Sequence, residues 1–280
     1  MDGTLVITSR QNPRVKKLAA LSDKKTREAE GLFRFDGIKL FEEAAACGVE
    51  IESVYIKESL SGEICARLSH CLEAIPRERI ACLSDSVFDR VTEEKSPEGI
   101  ITVAKYIDKF RKIVKIDKED FPRNSESVLI LESVRDPGNV GTIIRSAAAL
   151  GVGRVLFTSD CADLYNPKTI RAAMGALFRI NADKIDAPLL PEYILGMRGT
   201  GRRVFAASLD EGAVLLGDTE ISSGDCFVIG NEGHGLSEQT IKACNGSVII
   251  PMQAGCESLN AAAASVIFIW EMKKAYDKTK

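Results

Sequence analysis

Three short polar segments of this 280-residue chain gather the residue types that could do chemistry, and each follows an apolar run of strand type. The last in the chain is IPMQAGCESLNAAAA, residues 250–264. Pro251, which lacks a backbone donor, stops the run Val248, Ile249, Ile250, and Glu257, Ser258 and Asn260 crowd the loop ahead of a row of alanines. Small residues at a helix start let a ligand or another backbone come close, and polar groups just before them can cap or coordinate. The first segment is ESVRDPGNVGTIIRSAAALG, residues 132–151. There Asp136-Pro137-Gly138-Asn139 has turn composition, Gly141 opens a helix, and Arg145 sits one turn in. The middle segment, FVIGNEGHGLS at 227–237, places Gly230, Gly233 and Gly235 within six residues. Turning the chain does not need so many; they suit a loop whose backbone must approach a ligand.

Taken in order, these segments resemble the SpoU (TrmH) branch of the SPOUT RNA methyltransferases. The matching words are Asp136-Pro137-Gly138-Asn139-Val140-Gly141 with Arg145, Gly230-Asn231-Glu232-Gly233 with Gly235-Leu236, and Ile250-Pro251-Met252 with Gly255 and Ser258-Leu259-Asn260. The resemblance is strong over residues 127–280. It is looser in Ser9-Arg10-Gln11-Asn12-Pro13 and Phe33-Arg34-Phe35-Asp36-Gly37, which look like the small RNA-binding domain of the family.

The resemblance implies S-adenosylmethionine-dependent methylation of a ribose 2′-hydroxyl in structured RNA. The extra N-terminal domain favours ribosomal over transfer RNA. It also implies a homodimer and a deep trefoil knot near the C-terminus, although true knots are rare among folds in general. Methyl transfer requires an electrophilic donor, an activated hydroxyl and their alignment, and it requires no metal. By resemblance the catalytic set is Asn139, Arg145, Glu232, Ser258 and Asn260. Gly230, Ile250 and Leu259 offer backbone contacts to the cofactor, and Thr158 and Met252 line the same pocket.

Read by themselves, several of these residues keep a plainer alternative. Ile250 and Leu259 also suit core packing, and Ser258 or Asn260 could cap the last helix. A guanidinium is locked in its protonated form, so Arg145 is implausible as an unaided base. Two roles stay open for it: taking the hydroxyl proton with help from an RNA phosphate, or holding that phosphate and stabilising the developing oxyanion. The second asks less of the physics. His234 falls at a variable motif position and reads as a solvated loop residue. A non-catalytic RNA-binding or ribosome-assembly protein is the alternative of another class, and intact Asn139, Arg145, Glu232 and Asn260 weigh against it. A base-methylating relative would lack this Asn-to-Arg first motif. Neither a Gly-x-Gly-x-x-Gly after the first strand nor a Walker loop is present, which weakens dehydrogenase and NTPase readings.

The elements that must position these loops alternate in type. Over 126–280, strand-like runs at 128–132, 154–158, 203–207, 226–230 and 247–250 are separated by helical stretches at 141–150, 166–172, 191–198, 237–243 and 259–275. Such alternation specifies an α/β domain, a mostly parallel sheet covered by helices on both faces. Residues 1–106 form a second, smaller α/β block. Its helices are expected at 13–21, 38–46, 61–74 and 86–91, and its strands at 53–56, 80–82 and 100–106. Between the blocks, 107–125 is charged with few apolar anchors and reads as a linker or exposed extension.

Composition fits a globular protein, 45% hydrophobic and 28% charged, with no run long enough to span a membrane and an N-terminus unlike a signal peptide. Cytoplasmic localisation is expected. Eight cysteines without a C-x-x-C pair and only His70 and His234 beside them argue against zinc. Most sit in apolar context as reduced core residues; Cys256 lies in the third motif loop but lacks a histidine partner there, so a packing or incidental role is favoured. The net charge of −3 is unevenly spread: residues 1–39 hold nine Lys/Arg against five acids. Arg10, Arg14, Lys16, Lys17, Lys24, Lys25 and Arg27 are the densest basic stretch. It is either a solvated helix face or, as the resemblance implies for Arg10, Arg14, Lys16, Lys17, Lys24 and Lys25, a patch contacting RNA phosphates.

Overall fold

The computed structural model describes residues 6–107, 113–210, 212–253, 255 and 258–278. They divide into two compact units. One comprises the described residues up to Ile107 together with Tyr165–Phe178, and the other the described residues of 108–164 and 179–280.

In the first unit, strands β1 (Val6–Ile7), β2 (Leu32–Asp36), β3 (Ile51–Lys57), β4 (Ile80–Leu83) and β5 (Ile100–Lys105) form a sheet in the order β1-β4-β3-β5-β2. The β1-β4-β3 pairs are parallel and the β3-β5-β2 pairs antiparallel. Alternating residues of β3 serve two cores. Tyr55 joins Val15 and Leu18 of helix α1 (Pro13–Ala20) and Phe88, while Val54 and Ile56 join Phe41, Ile64 and Leu68. Helix α1 begins where Asn12 accepts a hydrogen bond from Arg14 N at 2.9 Å, with Pro13 in the first position.

Helix α2 (Lys24–Glu30) and strand β2 have no counterpart in the sequence reading. KKTREAE has no apolar stripe, and its helix is defined by its ends: Asp23 accepts from Thr26 N, and Gly31 closes it in a left-handed conformation with φ 64°. The last cation of the basic stretch, left out of the expected phosphate contacts, turns inward. Arg27 is 2% exposed and donates to the Leu21 and Ser22 carbonyls, an internal brace.

Residues 165–178, which fall within the expected 126–280 domain, pack in the first unit. Helix α8 (Pro167–Ala173) lies on β2, Tyr165 stacks on Tyr106 at 4.0 Å and lies 4.7 Å from Phe33, and Phe178 lies 5.5 Å from Phe35. The physical reason is aromatic complementarity: Phe33 and Phe35 need cover, and Tyr165 and Phe178 supply it. Between those two phenylalanines, Arg34 is buried and donates to Asp36 at 3.1 Å, and Asp36 also accepts from Thr92 Oγ1 at 2.6 Å. Asp36→Ala leaves that guanidinium buried without its carboxylate. It is expected to lower the unfolding free energy by about 3 kcal/mol in a urea titration.

The second unit carries seven parallel strands among the described residues: β6 (Val128–Leu131), β7 (Arg154–Thr158), β8 (Ala182–Ile185), β9 (Val204–Ala207), β10 (Val214–Leu215), β11 (Cys226–Ile229) and β12 (Gly246–Ile249). Their order is β10-β12-β9-β11-β6-β7-β8. The chain builds outward from β6 through β8, jumps to β9, and later returns to fill the gap between β9 and β6 with β11. Helix α7 (Pro137–Leu150) packs against the last helix, α12 (Ala261–Asp277). The stretch read as a linker is part of this unit from residue 113 onward. Val114 is buried in its core and donates to the Lys184 carbonyl, and Phe121 meets the Tyr193 ring edge-on. Two anchors suffice to fix a segment whose other residues are charged. Residues 108–112 lie outside the described residues. Among the described residues no helix is long and apolar enough to cross a membrane.

Candidate active site

Four adjacent strands, β12, β9, β11 and β6, are mutually parallel and release their loops at one edge of the sheet. That edge, at the carboxyl ends of the strands, is where open parallel sheets hold ligands.

The first motif is a helix start, not the turn its composition suggested. Asp136 caps α7 by accepting from Asn139 N at 2.8 Å, and Pro137 takes the first helical position, so the helix begins four residues before Gly141. Asp-Pro-Gly-Asn suits both structures because each needs an acceptor followed by a residue of fixed φ. Asn139 is thereby fixed on the first turn with its amide free to reach outward.

Its amide joins the other two motifs. Asn139 Nδ2 donates to Glu232 Oε1 at 2.6 Å, and Asn139 Oδ1 accepts from Asn260 Nδ2 at 3.0 Å. Asn260 caps α12 at the same time, its Oδ1 accepting from Ala262 N and Ala263 N. Of the two readings of Asn260 in the sequence, the helix cap is present, and the same amide also bonds Asn139.

Beside this chain of hydrogen bonds opens a cavity of about 430 Å³. Gly230, Ile250, Met252, Ser258 and Leu259 line it, and so does Glu232. Ile229, Ile249 and Phe268 supply apolar wall, and Ser208 and Leu209, from the end of β9, complete it. Sequence reading missed the β9 contribution, because nothing in Ala207-Ser208-Leu209 marks a motif; only its place at a strand end could have pointed to it. Gly230 has no room for a side chain: a Cβ there would stand 2.4 to 2.6 Å from the backbone of Gly235 and Leu236. Gly235 adopts φ 68°, which lets Asn231 and Gly235 bond N–H to C=O in both directions and close the loop.

Thr158 is not in the cavity wall, a correction to its expected role. It is buried, its Oγ1 accepts from Ser133 N at 2.8 Å and donates to Asp160 at 2.7 Å. Ser133, in the left-handed region at φ 56°, donates its hydroxyl to Asp160, and its carbonyl accepts from Asn231 Nδ2 at 2.8 Å. Thr158 is therefore joined to the Asn231 loop through Ser133. Burial pushes the Asp160 carboxyl up, but hydrogen bonds from Ser133 and Thr158 outweigh it and hold the group below the usual carboxylate range.

Arg145 is exposed on α7, and no hydrogen bond or ion pair joins it to the described residues. Six residues beyond Asn139, it stands about 9 Å further along the helix. His234 is an exposed loop residue whose backbone N–H donates to Asn231 Oδ1. Cys256 and Glu257 lie outside the described residues. The described cysteines are free thiols; burial pushes Cys226 up to about 11 and Cys244 up to about 12. No group of His, Cys, Asp and Glu suited to a metal occurs among the described residues. Of the basic residues, Arg10, Arg14, Lys16, Lys17, Lys24 and Lys25 are all exposed, with Lys17 paired to Glu30 at 2.8 Å and Lys24 to Glu28 at 3.7 Å.

The fold and site define a parallel α/β domain with a cavity of mixed polar and apolar lining and a rim of neutral amides and one carboxylate at its strand ends. The chain belongs to the SpoU rRNA Methylase family, whose sequence model matches residues 126–270. Residues 12–102 match the MRM3-like substrate binding domain. Among curated proteins, the chain is 30% identical to the 23S rRNA (guanosine(2553)-2′-O)-methyltransferase RlmP of Bacillus subtilis, over 95% of this chain and 98% of the relative. It is 28% identical to a 23S rRNA (uridine(2479)-2′-O)-methyltransferase of Streptomyces viridochromogenes, covering 95% and 90%. Among solved structures, the AdoMet-bound rRNA methyltransferase from Sinorhizobium meliloti superposes with a TM-score of 0.79 at 26% identity, covering 97% of this chain and 98% of that one.

Proposed function

We propose that this protein methylates a ribose 2′-hydroxyl of ribosomal RNA in the cytoplasm, with S-adenosylmethionine as the methyl donor. The observation that carries the reading is the hydrogen-bonded line Asn260–Asn139–Glu232, which ties three distant loops to the mouth of one cavity. The cavity fits the donor. Its apolar wall suits a planar adenine, and the backbone at Gly230 lies too close to the facing strand of its loop to admit any side chain. Bound there, the cofactor supplies an electrophilic methyl group.

The residues of the chain then orient and stabilise. The amide–carboxylate line fixes the loops so that the hydroxyl is met in one geometry. Ser258, with its hydroxyl beside the cavity and no hydrogen bond to a described residue, is placed to meet the substrate. Arg145 holds the RNA phosphate and stabilises the oxygen as it loses its proton to solvent; its freedom from any internal ion pair supports this role over a structural one. The exposed cations of residues 10–25 hold the RNA by its phosphates.

A homodimer is part of the reading: Trp270 is 52% exposed on α12, a large apolar side chain suited to a symmetric interface. A knotted C-terminus is the other part. It is supported by the late insertion of β11 between β9 and β6, after which the chain passes β12 and returns to pack α12 on α7. Mapping 2′-O-methyl sites in ribosomal RNA with and without the gene tests the function directly. Loss of one site in the deletion strain is the expected result, and an unchanged map overturns it.

Binding of the donor has its own test. Gly230→Val should cut S-adenosylmethionine affinity by at least about tenfold, because the loop must open to admit the side chain. Calorimetry on a variant with wild-type circular dichroism provides the measurement, and undiminished affinity would move the cofactor elsewhere.

A further inference from the structure

We propose that a second, smaller pocket in the N-terminal unit receives one unpaired nucleotide of the RNA, a subsite that rests on the function proposed above. The pocket, about 170 Å³, lies where α1 meets the sheet. Leu18, Leu21, Leu32 and Val103 line it with apolar surface, and Arg14, Lys17 and Arg79 bring cations to it beside the carboxylates of Glu52 and Glu78. It is well below the ~300 Å³ at which sites for whole cofactors begin and has room for a single planar ring.

Tyr55 makes the pocket more than a surface dimple. Its side chain lines the cavity, the residue is 6% exposed, and its hydroxyl makes no hydrogen bond with any described residue. A phenol in a core cluster ordinarily finds a partner for its hydroxyl. Here the hydroxyl is open to the cavity, where water or an entering ligand meets it.

The surrounding groups are already held in place. Arg14 Nη2 donates to the Glu78 carbonyl at 2.8 Å, Arg79 Nη1 donates to the Ile51 carbonyl at 3.2 Å, and Lys17 is paired with Glu30. Each guanidinium has five donors, so both keep donors for a second partner. A nucleotide matches this arrangement. Its base offers apolar faces to the leucines and mixed donors and acceptors to Tyr55, Ser53 and Glu52. Its phosphate meets Arg14 and Lys17, which continue the basic stretch of residues 10–25. Bases stacked in a duplex cannot enter such a concavity, whereas a loop or bulge can splay one out.

The test compares the full-length protein with Tyr55→Phe and Ser53→Phe. The first removes one hydroxyl at constant volume, and the second fills the cavity. The probes are a hairpin RNA with a randomised unpaired loop and a fully paired duplex of equal length, with a thermal melt of each variant. Wild type should prefer the hairpin. Tyr55→Phe should weaken hairpin binding roughly three- to tenfold, with duplex affinity, melting temperature and salt slope unchanged, and Ser53→Phe should abolish the preference. Because Tyr55→Phe is isosteric, the test survives even if Ser53→Phe fails to fold. Equal hairpin affinity in Tyr55→Phe and wild type, or a wild type without preference, overturns the subsite. A wild type that methylates ribosomal RNA while both variants bind normally sinks the subsite alone; one that neither binds nor methylates RNA sinks the function itself.

Discussion

Arg145→Ala and Arg145→Lys are both expected to lose about 10²- to 10³-fold in single-turnover methyl transfer, the scale of removing an oxyanion-stabilising donor. Cofactor affinity and melting temperature should stay at wild-type values. The reason lies in where the side chain stands: exposed on α7, outside the strand-end cavity, with no ion pair to a described residue to lose. Lysine keeps the charge but not the planar fork, so a phosphate held through two parallel hydrogen bonds is released by either substitution. Removing an interaction made in the transition state shows in the turnover rate, with little change in binding. Transfer of labelled methyl groups at saturating cofactor, beside a melt of the same samples, decides the matter. An Arg145→Ala protein that melts early yet turns over normally would make this arginine structural.

The strand ends and the three motif loops were legible because their physics is local. Apolar runs such as Arg154–Thr158 stop at polar or glycine-bearing residues, and the matching strand has the bounds the run implies. Parallel pairing then delivers Gly230, Ile250 and Asn139 to one edge without further information. What stayed hidden depends on distant partners. Helix α2 shows no hydrophobic period, since its buried residue is an arginine bonded to carbonyls upstream. Strand β10 buries neither of its two residues and exists through its pairing with β12. Thr158 has the right type and a strand-end position for a ligand contact. Only the left-handed backbone of Ser133, invisible in sequence, turns its hydroxyl toward Ser133 N. Tyr165 and Phe178 look like ordinary apolar residues until Phe33 and Phe35 are seen to need them.

That last dependence decides how RNA binding should be tested. Deleting residues 1–106 would strip Tyr165–Phe178 of the β2 aromatics it covers, so loss of binding in the truncated chain would have two explanations. Substituting Arg10, Arg14, Lys16, Lys17, Lys24 and Lys25 together by alanine avoids this, because all six are exposed and only Arg14 bonds a distant backbone group, the Glu78 carbonyl. For each RNA phosphate that is no longer neutralised, the slope of log affinity against log salt should become shallower by about 0.7 to 0.9. Lys17 and Lys24 already have acidic partners, Glu30 and Glu28, so the change should fall short of six full phosphates. Even four phosphates imply a drop of roughly a hundredfold or more in RNA affinity at low salt. Cofactor affinity should be untouched. Arg27→Ala provides the internal control. That arginine belongs to the same basic stretch but is buried against the Leu21 and Ser22 carbonyls, so its removal should lower the melting temperature and leave the salt slope alone. A sextuple variant that binds RNA with wild-type affinity and slope would make the exposed cations a solvated helix face and place the phosphate contacts elsewhere on the chain.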